Sequence, residues 1–98
     1  MSSLNVEKES LAEKVNFNND SFSVTLSDGR IITVPLAWFP RLLNGTESER
    51  NNYRFIGRGA GIHWPDLDED ISIEGIIKGK SSGESQESLE EWLHKRDK

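Results

Sequence analysis

The residues able to do chemistry are concentrated in one stretch, Gly61-Ile62-His63-Trp64-Pro65-Asp66-Leu67-Asp68-Glu69-Asp70-Ile71. Asp66, Asp68 and Asp70 have the D-x-D-x-D spacing that opens a calcium loop. The rest of that loop is missing: its sixth position is Ile71 where glycine is needed, and its twelfth is Ile77 where a bidentate glutamate is needed. His63 and the acids are nitrogen and oxygen ligands suited to a transition metal, but one histidine makes a thin ligand set. A carboxylate beside His63, Asp66 or Asp68, would also serve as an acid–base partner. The structural alternative uses the same residues differently. Trp64 fills the core, Pro65 ends a strand, and Asp68 or Asp70 caps the next turn or helix by accepting backbone N–H bonds. Neighbours on a strand point to opposite faces, so a buried Trp64 sends His63 outward.

Three other groups are candidates. Gly57-Arg58-Gly59-Ala60-Gly61 has glycines, but their spacing differs from the dinucleotide and P-loop fingerprints, and no Lys-Ser pair comes after it. A turn between strands is the plainer reading. Tyr53, Arg54 and Arg58, with Phe55, combine aromatics and cations in the manner of a base-stacking surface; a solvated strand face uses them equally well. Arg41 and Arg50 could each fork onto the acids of Asp66–Asp70 and lock short helices to that loop, and at least one such pair is expected. No serine stands in a nucleophile-elbow frame.

The elements that must position these groups can be read from pattern. Phe22, Val24 and Leu26 alternate with Ser21, Ser23, Thr25 and Ser27, the period of a half-buried strand. Asp28-Gly29 marks its turn. A three-residue loop pairs Val24 with Ile32 and Phe22 with Val34, which puts the apolar residues on one face; a two-residue loop does not. The longer loop is therefore expected, with Gly29 left-handed in a bulge. A short strand at 15–17 precedes the hairpin. Pro35 ends it. Residues 36–43 read as one short helix with Pro40 in its first turn and an apolar stripe of Trp38, Phe39, Leu42 and Leu43, closed by a left-handed cap at Asn44-Gly45. Thr46 to Glu49 is a capping box opening a second short helix to about Asn52. Residues 53–56, 62–64 and 70–73 have strand character, and 74–78 form about one helical turn stopped by Gly79. Residues 79–83 have linker composition. Residues 84–97 read as a tail helix capped by Ser85, with Leu89, Trp92 and Leu93 on one stripe and Glu84, Glu87, Glu90 and Glu91 around it.

Composition bounds the function. The chain has 98 residues, 34% of them hydrophobic, enough for one domain with a small core, in which Trp38, Phe39, Phe55 and Trp64 should carry a large share. Residues 1–14 form a polar arm, 15–79 the domain, 80–98 the linker and tail; Leu4, Val6 and Leu11 are the arm's only large apolar residues besides Met1. A net charge of −5 with no dense basic cluster argues against nucleic acid as a partner. The absence of cysteine removes disulfides, thiolate zinc sites and a cysteine nucleophile. No apolar run approaches a membrane span, and Ser2, Ser3 and Glu7 stand where a signal peptide needs a basic start. A cytoplasmic protein is expected.

Asp28-Gly29-Arg30, Val34-Pro35-Leu36, Phe39-Pro40-Arg41-Leu42, Arg50 and the stretch Gly61 to Ile71 together resemble the bacterial domain of unknown function family numbered 2442, over residues of about 15–79. The resemblance implies a small α+β domain and no settled activity. It also implies a gene neighbour, another small protein, in an arrangement like a toxin–antitoxin pair. Relatives that carry an added helix-turn-helix differ from this chain, whose one tail helix is too little for direct operator binding.

The sequence thus predicts an α+β fold: a small antiparallel sheet, short helices packed on one face and a C-terminal tail helix. The expected function is a non-enzymatic, antitoxin-like module without cofactor, metal or catalytic residue, binding a protein partner. Its partner surface is expected to comprise His63, Asp66, Asp68, Glu69, Asp70, Leu89, Trp92 and Leu93. The tail stripe docks on its own domain, exchanges in a homodimer or enters the partner. The alternatives are a metal-assisted or acid–base enzyme using His63 and neighbouring acids, and a nucleic-acid binder using Tyr53, Arg54 and Arg58.

Overall fold

The alternation around Phe22 builds the central strand of a three-stranded antiparallel sheet in a computed structural model that describes residues 10–96. Leu4, Val6 and the first nine positions of the polar arm lie outside the described residues. β1 (Ala12–Phe17) starts three residues before the short strand expected from the sequence. β2 (Ser21–Leu26) pairs with it and with β3 (Ile31–Pro35). The hairpin register is the expected one: Phe22 opposite Val34, Val24 opposite Ile32. Gly29 is left-handed at φ 96° and donates to Leu26 O at 2.9 Å, closing the bulge. Asp28 accepts from the Arg30 amide and guanidinium, at 3.0 and 2.9 Å.

Two backbone hydrogen bonds set which groups face which way. Leu26 N–H donates to Arg30 O, and Asn18 N–H donates to Ser21 O, both at 2.8 Å. Antiparallel ladders alternate, so the even residues of β2 bond β3 and the odd ones bond β1. The N–H and C=O groups of Val15 and Phe17 then point to the outer edge of β1. The outer edge of β3 carries Ile31, Thr33 and Pro35, and Pro35 has no N–H to offer.

The single helix expected over residues 36–43 is instead two turns. Leu36–Trp38 is a 3₁₀ turn, Phe39 leaves the helical region at φ −132°, ψ 84°, and α1 (Pro40–Leu43) begins at the proline. The residue before a proline is pushed out of the helical region, so Phe39 breaks the helix that Pro40 then restarts. The buried residues become Leu36, Phe39 and Leu42, while Trp38 and Leu43 are 38% and 44% exposed. The left-handed cap at Asn44-Gly45 is also absent: Asn44 sits at φ −90°, ψ 2°. Gly45 is needed for space, because a Cβ there would lie 2.9 Å from Leu67 Cδ1.

α2 (Glu47–Asn51) has the full capping box, with Thr46 N–H donating to Glu49 Oε1 at 2.8 Å and Glu49 N–H to Thr46 Oγ1 at 3.1 Å. A second antiparallel sheet comes next, in which β4 (Arg54–Ile56) and β6 (Glu69–Ser72) flank β5 (Gly61–Trp64). The strands thus divide between two sheets within an α+β fold. Ile62, Trp64 and Ile71 are buried in the core, and Phe55 packs on its margin. The fully buried Trp64 ring meets Phe22 and Phe17 edge-on, with centroids 6.4 and 6.3 Å apart. α3 (Ile73–Ile77) adds Ile73 and Ile76 to the core, and Gly79 after it is left-handed. α4 (Gln86–Arg96) starts where Ser85 Oγ accepts from Ser88 N–H at 3.1 Å. No helix among the described residues is long and apolar enough to cross a membrane.

Candidate functional site: the acidic bend and its helix

Trp64, Pro65, Asp66 and Leu67 turn the chain between β5 and β6, with Leu67 N–H donating to Trp64 O at 3.3 Å. Asp68 then takes a left-handed φ of 52°, a conformation aspartate tolerates better than most residues. The result is a split bend. Trp64 and Leu67 are fully buried beneath it, and the Asp68 side chain is 88% exposed above it. Trp64 is held at its polar end as well: its indole N–H donates to the Arg50 carbonyl oxygen at 2.9 Å.

The three aspartates do not converge. Asp66 accepts from Asn52 Nδ2 at 2.9 Å, Asp68 lies 3.5 Å from the Arg41 guanidinium, and Asp70 bonds His63. Among the described residues no group of three His, Asp or Glu side chains is placed to hold a metal ion. Contrary to the expectation from the sequence, neither Asp68 nor Asp70 caps the next helix. Ser72 does, accepting from Gly75 N–H at 3.1 Å. Ser72 stands immediately before the helix, where a short hydroxyl reaches the first free amides that the bend aspartates do not.

His63 faces outward, as Trp64's burial requires, and is half-buried. Its acid partner is Asp70 rather than Asp66 or Asp68, because antiparallel pairing sets His63 directly opposite Asp70 across the ladder, with Nδ1 and Oδ1 2.5 Å apart. Arg54 is its partner on the other side. Tyr53 and Phe55 do not share Arg54's face: the Tyr53 ring packs tilted against Phe55 and Trp64, with centroids 5.6 and 6.1 Å apart. The nucleic-acid candidates are thereby split, the rings toward the core and Arg54 toward solvent.

Of the two arginines, one meets the acidic bend. Arg41 donates to Asp68 O at 3.2 Å, but its main partner is Glu84, with Nη2 to Oε2 at 2.7 Å and Nε to both carboxylate oxygens at 3.0 and 3.1 Å. Arg50 does not pair with these acids. It donates to the carbonyl oxygens of Leu42 and Leu43, both at 2.8 Å, satisfying the end of α1. Glu84 is the residue whose weight the sequence conceals. Its position beside a glycine linker gives no sign of a long-range fork, since the two partners are 43 residues apart.

α4 docks on its own domain without burying any residue fully. Leu89, Trp92 and Leu93 are half-buried, and Trp92 packs on the margin of the core. The Trp92 ring has the Arg41 guanidinium 5.1 Å from its centroid and that of Arg96 4.6 Å away. Arg96 also forks onto Glu49, at 2.8 and 3.1 Å. These contacts hold the carboxyls in charged form. Hydrogen bonds from Arg96 and from the Thr46 amide bring Glu49 down to about 2, and the Arg41 bonds hold Glu84 below its ordinary range. Glu69 goes the other way. Burial pushes it up to about 7, against the pull of Arg41, with Glu84, Asp70 and Asp68 adding to the rise. The bend therefore carries one carboxyl that holds its proton more tightly than an ordinary glutamate does.

Residues 12–82 match the family described as protein of unknown function, DUF2442. Two solved structures share the fold. A protein of unknown function from Rhodospirillum rubrum is 23% identical, with a TM-score of 0.68 over 81% of this chain and 98% of that one. The uncharacterized protein CV0863 from Chromobacterium violaceum is 19% identical, with a TM-score of 0.64 over 91% of this chain and 81% of that one. No curated protein matches the chain.

Proposed function

The chain belongs to the DUF2442 family of proteins of unknown function, and from that membership we propose a non-enzymatic, cytoplasmic bacterial module that binds a small protein partner in the manner of an antitoxin. The observation that supports this reading is the split of the acidic bend. A fixed base, Trp64 and Leu67, lies under carboxylates that face solvent, with Asp68 88% exposed. Rigid backing beneath exposed charge favours a recognition surface. The partner surface is His63 with Asp66, Asp68, Glu69 and Asp70, and the half-buried stripe of Leu89, Trp92 and Leu93 beside it. The partner is the product of a neighbouring gene, as the family resemblance implies.

The test is co-purification of the tagged chain from its native bacterium, beside an Asp66→Lys/Asp68→Lys variant. The neighbouring gene product should stay with the wild type and be lost from the variant. Equal retention by both would remove the bend from the interface. Mass in solution, with and without residues 80–98, separates a tail-exchanged homodimer from a monomer.

A second reading rests on the His63–Asp70 contact, an imidazole oriented by a carboxylate with Arg54 alongside. That arrangement suits a general base. It predicts a turnover that His63→Ala abolishes while the fold is retained.

A further inference from the structure

Among the described residues, nothing pairs with the outer edge of β1. Val15 and Phe17 turn their N–H and C=O groups away from β2, and no hydrogen bond across that edge reaches them among the described residues. The Ala12 end of the strand is covered by Gly59, whose added Cβ would lie 2.7 Å from Ala12 O. The Val15–Phe17 end instead lines a groove of about 860 Å³, walled on its far side by α2. Unpaired strand edges are templates for another strand.

The groove wall narrows the kind of occupant. Asp20 and Glu47 line it and take part in no ion pair among the described residues. Arg50, also at the wall, has its guanidinium committed to the Leu42 and Leu43 carbonyls. The groove thus offers main-chain donors and acceptors along β1, with the Asp20 carboxylate beyond the end of that strand and the Glu47 carboxylate on α2 outnumbering the single guanidinium of Arg50, which is turned to the carbonyls of α1. We propose that it binds an extended, lysine- or arginine-bearing segment of a partner protein, which adds to the first sheet as a fourth strand beside β1. Main-chain bonds to Val15 and Phe17 supply affinity, and the basic side chains meeting Asp20 and Glu47 supply selection. The surface shares no residue with the acidic bend, so this site and the one proposed above are tested independently.

The experiment titrates the ¹⁵N-labelled full chain with a blocked hexapeptide of alternating lysine and valine, and with the same peptide N-methylated at alternate amides. The Val15 and Phe17 amide signals should move downfield and their hydrogen exchange should slow by roughly tenfold with the first peptide only. Glu47→Gln should weaken that binding by roughly tenfold, with the free protein's spectrum otherwise retained. Equal affinity for the N-methylated peptide would mean charge attraction alone and would overturn the proposal. So would Val15 and Phe17 amides that are already protected in the free protein, or that do not respond to the peptide.

Discussion

The indole N–H of Trp64 donates to the backbone carbonyl of Arg50 at 2.9 Å, and the Arg50 side chain donates to the carbonyls of Leu42 and Leu43. One arginine therefore connects the central ring to both short helices, by two different parts of itself. Substitution can tell the two parts apart.

Trp64→Phe removes buried volume and leaves the Arg50 carbonyl without its donor. Both effects destabilise, by about 2–4 kcal/mol together. Arg50→Ala keeps that carbonyl and loses only the cover on the end of α1, for about 1–2 kcal/mol. Urea unfolding should rank the two in that order; the reverse order would place the anchor in the arginine side chain.

Arg41 and Glu84 side chains are only 16% and 10% exposed and meet in a fork. A double-mutant cycle of Arg41→Ala and Glu84→Gln should give a coupling of about 1–3 kcal/mol. Arg41→Ala should also loosen Trp92, seen as a red shift in tryptophan emission. A coupling under about 0.5 kcal/mol would reduce the fork to an ordinary surface pair.

Glu69 makes stability depend on pH in a direction opposite to most carboxyls. Its value in the fold, about 7, stands above the ordinary 4.5. The unfolded chain therefore gives up this proton first, and stability falls as pH rises from about 4.5 through 7. The Glu49 and Glu84 carboxyls, both held low, contribute stability that is complete above about 4.5 and lost on acidification. The difference between wild type and Glu69→Gln in unfolding from pH 5 to 8 therefore reports on Glu69. Glu69→Gln should flatten the slope and add on the order of 1–2 kcal/mol at pH 8, allowing for solvent screening of a half-exposed group. Identical slopes for wild type and variant would sink this.

Three glycines should differ in their tolerance of alanine. Gly59→Ala would put a Cβ 2.7 Å from Ala12 O at a φ of 108°, a backbone collision with conformational strain. Gly45→Ala meets the ends of the Leu67 side chain at 2.9 and 3.0 Å, which can yield only by disturbing a fully buried residue. Gly79→Ala meets nothing and carries only the left-handed penalty, about 1 kcal/mol. Thermal unfolding should show Gly59→Ala lowest, then Gly45→Ala, then Gly79→Ala at about 1–3 kcal/mol better than the second.

Local signals in the sequence are the dependable ones. The Asp28-Gly29 turn together with the alternation around Val24 is enough to choose the hairpin register, and Thr46 with Glu49 specifies a capping box. Trp64 is identifiable as a core residue, and His63 as its outward neighbour, from strand geometry alone. Sequence pattern misleads where distant contacts decide. The apolar residues of 36–43 share a stripe that suggests one helix through Phe39; the proline's effect on its predecessor outweighs that. Arg50 resembles a partner for acids, yet carbonyls that are free only because α1 ends nearby claim it. His63 meets Asp70 through a strand pairing that sequence adjacency to Asp66 and Asp68 conceals. Gly45 suggests backbone freedom when its real constraint is the Leu67 side chain, which packs against it from far along the chain.

Pro35 blunts one border of the first sheet. A strand accepted beside β1 extends the sheet in one direction, but the opposite border, where the pyrrolidine ring replaces an amide, is a poor template for the next molecule. Copies of the chain should accordingly not join β1 border to β3 border into one continuous sheet, a route to fibrils that this ring disfavours.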